Sequence, residues 1–140
     1  MAEKQYLYGK IDYSSLIKAR NFLAEILQNA RNDYEKTGTV KAFEFCYELS
    51  WKIMKKVLKF HGVEADNARD VFREATKLNL LADAEVWFSY LEKRNITVHT
   101  YQKEILDDLF ANTAKEFLQD LDYLLKKLEQ KSSQYATNRN

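Results

Sequence analysis

Proline occurs nowhere in these 140 residues, and glycine occurs only three times. Both residues interrupt regular structure. A chain almost without them can run in long helices, and it lacks the turn residues that a many-stranded β fold demands. Hydrophobic residues supply 46% of the chain and charged residues 31%. That mixture builds a packed interior under a solvated surface, and the length fits one domain spanning 1–140.

Apolar spacing divides the chain into helices. Gly9 precedes the first, which is expected to start near Asp12 or Ser14, where a side-chain oxygen can accept a free backbone N–H. Leu16, Ala19, Leu23, Ile26 and Ala30 then recur at steps of three and four, and Phe22 and Leu27 widen the stripe. Asn32 to Gly38 reads as a short connection. A second helix is expected from about Thr39 to Phe60, with one apolar row at Phe43, Tyr47, Trp51, Met54 and Leu58 and another at Phe45, Leu49 and Ile53. Two apolar rows place that helix centrally, and His61-Gly62 ends it. Asp66 can cap a third helix reaching about Leu78, with Val71, Phe72 and Ala75 inward. After a break at Asn79, Asp83 can cap a fourth, with Val86, Trp87, Tyr90 and Leu91 inward.

The last helix is expected from about Thr100 to Gln130, along a stripe of Leu106, Phe110, Thr113, Phe117, Leu121, Leu124 and Leu128. At about 1.5 Å per residue it would reach about 45 Å, more than one small bundle covers, so part of it is expected to meet another subunit. A polar tail follows from Lys131 to Asn140. The predicted fold is all-α: an antiparallel four-helix bundle with an additional short helix, dimeric.

Charge narrows the functional classes. The net charge is +1 from 22 basic and 21 acidic residues, so the broad basic footprint of a duplex-DNA binder is missing. Local recognition of single-stranded or structured RNA needs only a small positive site. Lys52, Lys55, Lys56 and Lys59 follow helical spacing; they read first as a solvated face, with the capacity to steer RNA or an acidic partner. Cys46 is the single cysteine, so no intramolecular disulfide forms, and a reducing cytoplasm is the expected compartment. In its apolar helical surroundings Cys46 reads as packing. No apolar run approaches the roughly 20 residues of a membrane span. One cysteine and two separated histidines give no zinc spacing, and neither metal nor cofactor is expected.

The segment Arg94-Asn95-Ile96-Thr97-Val98-His99-Thr100-Tyr101 fits a helix worst. Three successive β-branched residues lower helix propensity. In an unbroken helix Arg94 and His99 would stand about 140° apart; a bend at the β-branched run would let them converge. Thr100 could then cap the last helix, leaving His99 just ahead of an N-terminus that favours anions such as phosphate. Taken alone, Arg94 would cap a helix end and His99 would be a half-buried histidine. Trp51 and Trp87 read as core or interface residues.

Arg94-Asn95, three residues, then His99-Thr100-Tyr101 resembles the Arg-x4-His-x-Tyr motif of HEPN domains, at the same place between the penultimate and last long helices. The stretch from Ala68 to Ala75 looks like the short helix that precedes the motif in that family. The similarity covers roughly Ser14 to Leu128 and is nearest to the HEPN partner of a minimal nucleotidyltransferase, also called the nucleotidyltransferase substrate-binding protein. The resemblance implies a homodimer whose Arg-His motifs face a shared cleft, a cognate nucleotidyltransferase as partner, and metal-independent RNA cleavage. By the same resemblance His99 would be the general acid/base at the ribose 2′-OH, Arg94 would stabilise the phosphate, Asn95 would assist positioning, and Tyr101 would receive AMP from the nucleotidyltransferase. Members often carry acidic residues after the tyrosine, where this chain has Gln102-Lys103 before Glu104.

Three functions stand side by side: a ribonuclease toxin neutralised by adenylylation, a non-catalytic substrate-binding subunit, and a structural dimer with a vestigial motif.

Overall fold

A computed structural model describes Tyr6–Leu7 and residues 10–139, with side chains through Ser132. Two short strands open the described chain. β1 (Tyr6–Leu7) pairs antiparallel with β2 (Ile11–Asp12), setting Tyr6 opposite Asp12 and Leu7 opposite Ile11. The periodicity gave no sign of this hairpin, which is too short for an alternating pattern. It buries Leu7 completely. Gly9 lies outside the described residues.

α1 spans Ser14–Asn29. Asp12 accepts the Ser14 backbone N–H at 2.9 Å, so the helix starts where its first free donor meets a carboxylate. α2 spans Asp33–Phe60. It begins six residues before the expected Thr39, because Asn32 caps the Glu35 N–H at 2.9 Å while the Glu35 carboxylate accepts the Arg31 N–H at 3.1 Å. The expected connection from Asn32 to Gly38 is therefore mostly helix. Gly38 sits inside it for a steric reason: a Cβ there would stand 3.0 Å from Cδ1 of Ile26 on α1. At the other end Gly62 takes φ 77°, and the Val63 N–H returns to the Leu58 carbonyl at 2.9 Å. That closure needs a left-handed residue.

α2 packs against α1, α3 (Ala68–Lys77), α4 (Ala84–Asn95), and the last helix. Phe43, Tyr47, Met54 and Leu58 are buried as their spacing predicted, while Trp51 is half-buried. The second row differs. Thr39, Ala42, Cys46, Ser50, Ile53 and Val57 face the interior, Leu49 is half-buried, and Phe45 is 55% exposed. Small side chains at 42, 46 and 50 let neighbouring helices approach, and that pulls the buried face away from Phe45. Asn67, not Asp66, caps α3 by accepting the Asp70 N–H; Asp83 caps α4 as expected. Asn79 holds φ 61° at the break after α3.

Phe117 is the centre of an aromatic cluster, with Phe43 at 4.9 Å, Tyr90 at 5.0 Å and Trp87 at 5.4 Å between ring centroids. Trp87 is thus a core residue. The Tyr90 hydroxyl donates to Asp120 from within the packed interface.

The last helix is not uniform. It begins as α5 (Lys103–Asp108), widens into a π-helical turn (Leu109–Thr113), and continues as α6 (Ala114–Arg139). The extra residue of the π turn shifts the buried register, so Leu109 and Ala114 point inward and Phe110 is only half-buried. The stretch read as a polar tail continues the helix through Arg139; Asn140 lies outside the described residues. The fold is an all-helical bundle with one additional short helix. Among the described residues no helix is long and apolar enough to cross a membrane.

Candidate functional site

α4 ends on Arg94 and Asn95, and the β-branched run does unwind it. Thr97–His99 forms a single 3-10 turn, with the His99 N–H bonded to the Ile96 carbonyl at 3.0 Å and the Gln102 N–H to the His99 carbonyl at 2.9 Å. The Thr97 hydroxyl, buried, donates to the Arg94 carbonyl at 2.8 Å. That bond satisfies one of the acceptors a helix end leaves open. Ile96 packs onto a small second core of Val40, Leu106 and Leu109, which pins the bend between α2 and α5. The Lys103 ammonium meets Asp33 at 3.2 Å, fastening the start of α5 to the start of α2, and that carboxylate raises the Lys103 pKa.

Thr100 does not cap the last helix. The capping position is Gln102, whose side chain makes no capping bond. The expected placement of His99 ahead of a capped terminus gives way to a simpler geometry. His99 is exposed, and its Nδ1 lies 3.1 Å from the Tyr101 hydroxyl, with ring centroids 5.7 Å apart. Tyr101 is 77% exposed.

Arg94 belongs to a second group. Its Nε donates to Oε1 of Glu48 on α2 at 3.1 Å, and Oε2 of the same carboxylate accepts the Trp51 Nε1–H at 3.0 Å. A groove of about 400 Å³ opens beside it, walled by Gly38, Lys41 and Glu44 from α2 and by Arg94, Thr97, Val98 and Thr100 from the bend. His99 is not in that wall. Within one chain, then, the bend joins His99 to Tyr101 and Arg94 to Glu48, and no hydrogen bond joins the two groups among the described residues. Asn95 is exposed at the end of α4.

Sequence reasoning missed Glu48, and read Tyr47 only as part of the apolar row. Glu48 is the only acidic residue between Glu44 and Glu64, a lone carboxylate in a greasy and basic stretch, and that isolation was the available signal. Tyr47 is buried, and its hydroxyl has no hydrogen-bond partner among the described residues. Burial pushes its pKa up to about 12, aided by Glu48 and opposed by Arg94 and Arg69, so the hydroxyl sits within electrostatic reach of the Arg94–Glu48 pair. Among the described residues no three His, Cys, Asp or Glu side chains gather to hold a metal ion.

Residues 11–130 match the family model described as nucleotidyltransferase substrate binding protein like. The chain belongs to that family. The match takes in Arg94, His99 and Tyr101 together with the helices that position them. A Haemophilus influenzae protein named probable ribonuclease HepT is 36% identical over 100 residues, 68% of either chain. Among solved structures, a Haemophilus influenzae protein described as revealing the fold of a substrate binding domain of a nucleotidyltransferase superposes with a TM-score of 0.77 at 28% identity, covering 84% of this chain and 98% of the other. A Thermus thermophilus protein superposes at 0.74 with 25% identity, over 81% and 98%. The family membership agrees with the resemblance read from the motif.

Proposed function

We propose that this family member is a HEPN-type toxin, a metal-independent RNA endonuclease that its cognate nucleotidyltransferase neutralises by adenylylating Tyr101. The observation that carries the reading is the exposed His99–Tyr101 pair, hydrogen-bonded at 3.1 Å just past the bend. It puts a proton-transfer group and a modifiable hydroxyl in contact. The name of the Haemophilus influenzae relative supports the ribonuclease half, and the family description supports the nucleotidyltransferase half.

The chemistry follows from the groups. His99 takes the proton of a ribose 2′-OH, the 2′-oxygen bonds to the adjacent phosphorus, and the bond from phosphorus to the 5′-oxygen breaks as that oxygen takes a proton from solvent, which the His99 imidazolium then restores. Arg94 meets the charge that grows on the phosphoryl oxygens, and Asn95 assists its positioning. Because Arg94 and His99 stand in separate groups within one chain, the reading assigns the working site to a homodimer, with exposed Val98 and Tyr101 near the seam. The Tyr101 hydroxyl also bears on the His99 tautomer: when Nδ1–H donates to it, Nε2 is the free base. Adenylylation replaces the hydroxyl proton with a phosphodiester, weakening the oxygen that accepts from Nδ1–H and adding negative charge where an RNA phosphate would sit.

The test is expression of the chain with and without the nucleotidyltransferase. His99→Ala is expected to abolish RNA cleavage and growth inhibition while keeping the fold; unchanged toxicity would overturn the catalytic assignment. Incubation with the nucleotidyltransferase and ATP is expected to add one or more AMP units to the wild type and none to Tyr101→Phe, read by intact mass. A non-catalytic substrate-binding subunit, the reading favoured by the family description, predicts no cleavage by the wild type and no effect of His99→Ala.

A further inference from the structure

The cations of α2 are concentrated in its second half. From Leu49 to Val63 the sequence holds no acidic residue and four lysines, Lys52, Lys55, Lys56 and Lys59. The residues between them, Ile53, Met54, Val57 and Leu58, are buried, and all four lysines are exposed, so the four share the outer face of the helix. Among the described residues none of them makes an ion pair, as is also true of Lys18, Lys115, Lys126 and Lys127, while Lys36, Lys41, Lys77, Lys93 and Lys103 each meet a carboxylate. What sets the four apart is that they stand together on one face. The helix dipole accounts for Lys59 in the last turn, but its effect fades before Lys52 and Lys55. Four like charges on one face repel one another, and among the described residues no ion pair offsets that, although Glu64 and Asp66 share a groove with Lys55 and Lys59.

The stripe is continuous with the candidate site. Glu48, Lys52, Lys55 and Lys59 recur at four, three and four residues, so they align on one side of the helix. Lys52 stands about 6 Å, and Lys59 about 16 Å, along the axis from the carboxylate that holds Arg94. On the other side of Glu48 the stripe continues through the exposed ring of Phe45, with the Lys41 ammonium 5.6 Å from its centroid. Cations interleaved with an exposed aromatic face match a single-stranded polynucleotide, whose phosphates take the cations and whose bases stack on the ring. An acidic protein would meet the lysines and leave the Phe45 ring unaccounted for. At its far end the run shares a groove with acids: Lys55 and Lys59 line it together with Glu64 and Asp66.

We infer that the outer stripe of α2, from Lys41 and Phe45 through Lys52, Lys55, Lys56 and Lys59, is a track for single-stranded RNA that feeds the Arg94 end of the site. The inference rests on the ribonuclease reading for its substrate, and on the charge and geometry of α2 for its place. It binds backbone without reading sequence, so affinity falls steeply with salt.

The test uses the full chain with Lys52, Lys55, Lys56 and Lys59 all changed to Gln, its fold checked by thermal melting. The probe is a single-stranded RNA of about 20 nucleotides, 2′-O-methylated throughout so that it cannot be cut, followed by fluorescence anisotropy across salt concentrations. The variant is expected to bind roughly tenfold or more weakly at low salt, with a log–log salt slope shallower by about 2 to 3, at roughly 0.7 for each phosphate no longer neutralised. On long RNA its KM rises while kcat holds, and cleavage of a dinucleotide, too short to reach the track, is unchanged. Wild-type affinity and slope in the variant would overturn the track while leaving the ribonuclease reading intact. Retained RNA binding with lost association to the nucleotidyltransferase would also overturn it, assigning the lysines to a protein interface. Lost RNA binding in the variant, beside a wild type that cuts no RNA, would uphold the track and overturn the nuclease reading instead.

Discussion

Glu48 holds Arg94 across 46 residues of sequence, by an Nε-to-Oε1 bond of 3.1 Å. The same carboxylate takes the Trp51 indole N–H, so the acceptor is itself fixed by its own helix. This arrangement anchors one edge of the guanidinium, and among the described residues its two terminal nitrogens make no hydrogen bond. Both partners are about one-third exposed, with side-chain exposures of 38% and 34%. Solvent screening therefore keeps the stabilising effect of the pair small, and its larger consequence is orientation.

Glu48→Gln keeps an acceptor and removes the charge that fixes Arg94. The expected result is roughly a tenfold drop in RNA cleavage, against a stability loss under about 1 kcal/mol. Parallel cleavage assays and urea melts would separate the two effects. Unimpaired cleavage would show that Arg94 needs no anchor.

Tyr47→Phe removes the hydroxyl that is buried without a partner and keeps the ring against Phe72, 6.1 Å away between centroids. Deleting an unsatisfied buried group costs little or stabilises. Equal or higher urea midpoints are expected, and a loss above about 1 kcal/mol would mean that the hydroxyl does have a partner in solution.

Alkaline pH is expected to weaken the fold. Burial pushes both the Cys46 thiol and the Tyr47 hydroxyl up to about 12, from 9.0 and 10.0 respectively. Between the lower and upper values the unfolded chain has released protons that the folded chain retains, so stability present below pH 9 is lost as pH rises toward 12. Melting temperature should therefore fall above about pH 9. Cys46→Ala should flatten the first part of that decline; an identical slope in this variant would contradict the thiol's share.

Phe117→Ala opens a cavity where Phe43, Trp87 and Tyr90 converge. The expected cost is about 3–5 kcal/mol, a large share of the stability of a domain this size. A urea midpoint close to wild type would mean that the cluster refills the space.

Much of the fold was legible because periodicity is a local signal. The stripes of α3 and α4, the buried row of α1 at Leu16 and Leu23 (from which Phe22, expected in it, turns out to solvent), the break at Asn79 and the cap at Asp83 all depend on residues a few positions apart. The start of α2 was missed because Gly38 reads locally as a breaker, and only the approach of Ile26 gives it a reason to lie inside a helix. The π turn was missed because Phe110 extends the three-and-four stripe as well as Leu109 does. The choice between them is made by the small core around Val40 and Ile96.

For the site, the sequence by itself determined that the helix fails between Arg94 and Tyr101. Three β-branched residues in a row lower helix propensity there. The direction of the bend, and the partner each side chain finds after it, were decided by tertiary structure. The partner of Arg94 comes from a helix 46 residues away, and the bend is held by apolar packing onto α2 and α5. Side-chain pairing across such separations depends on how helices pack, and no local pattern in the chain records it.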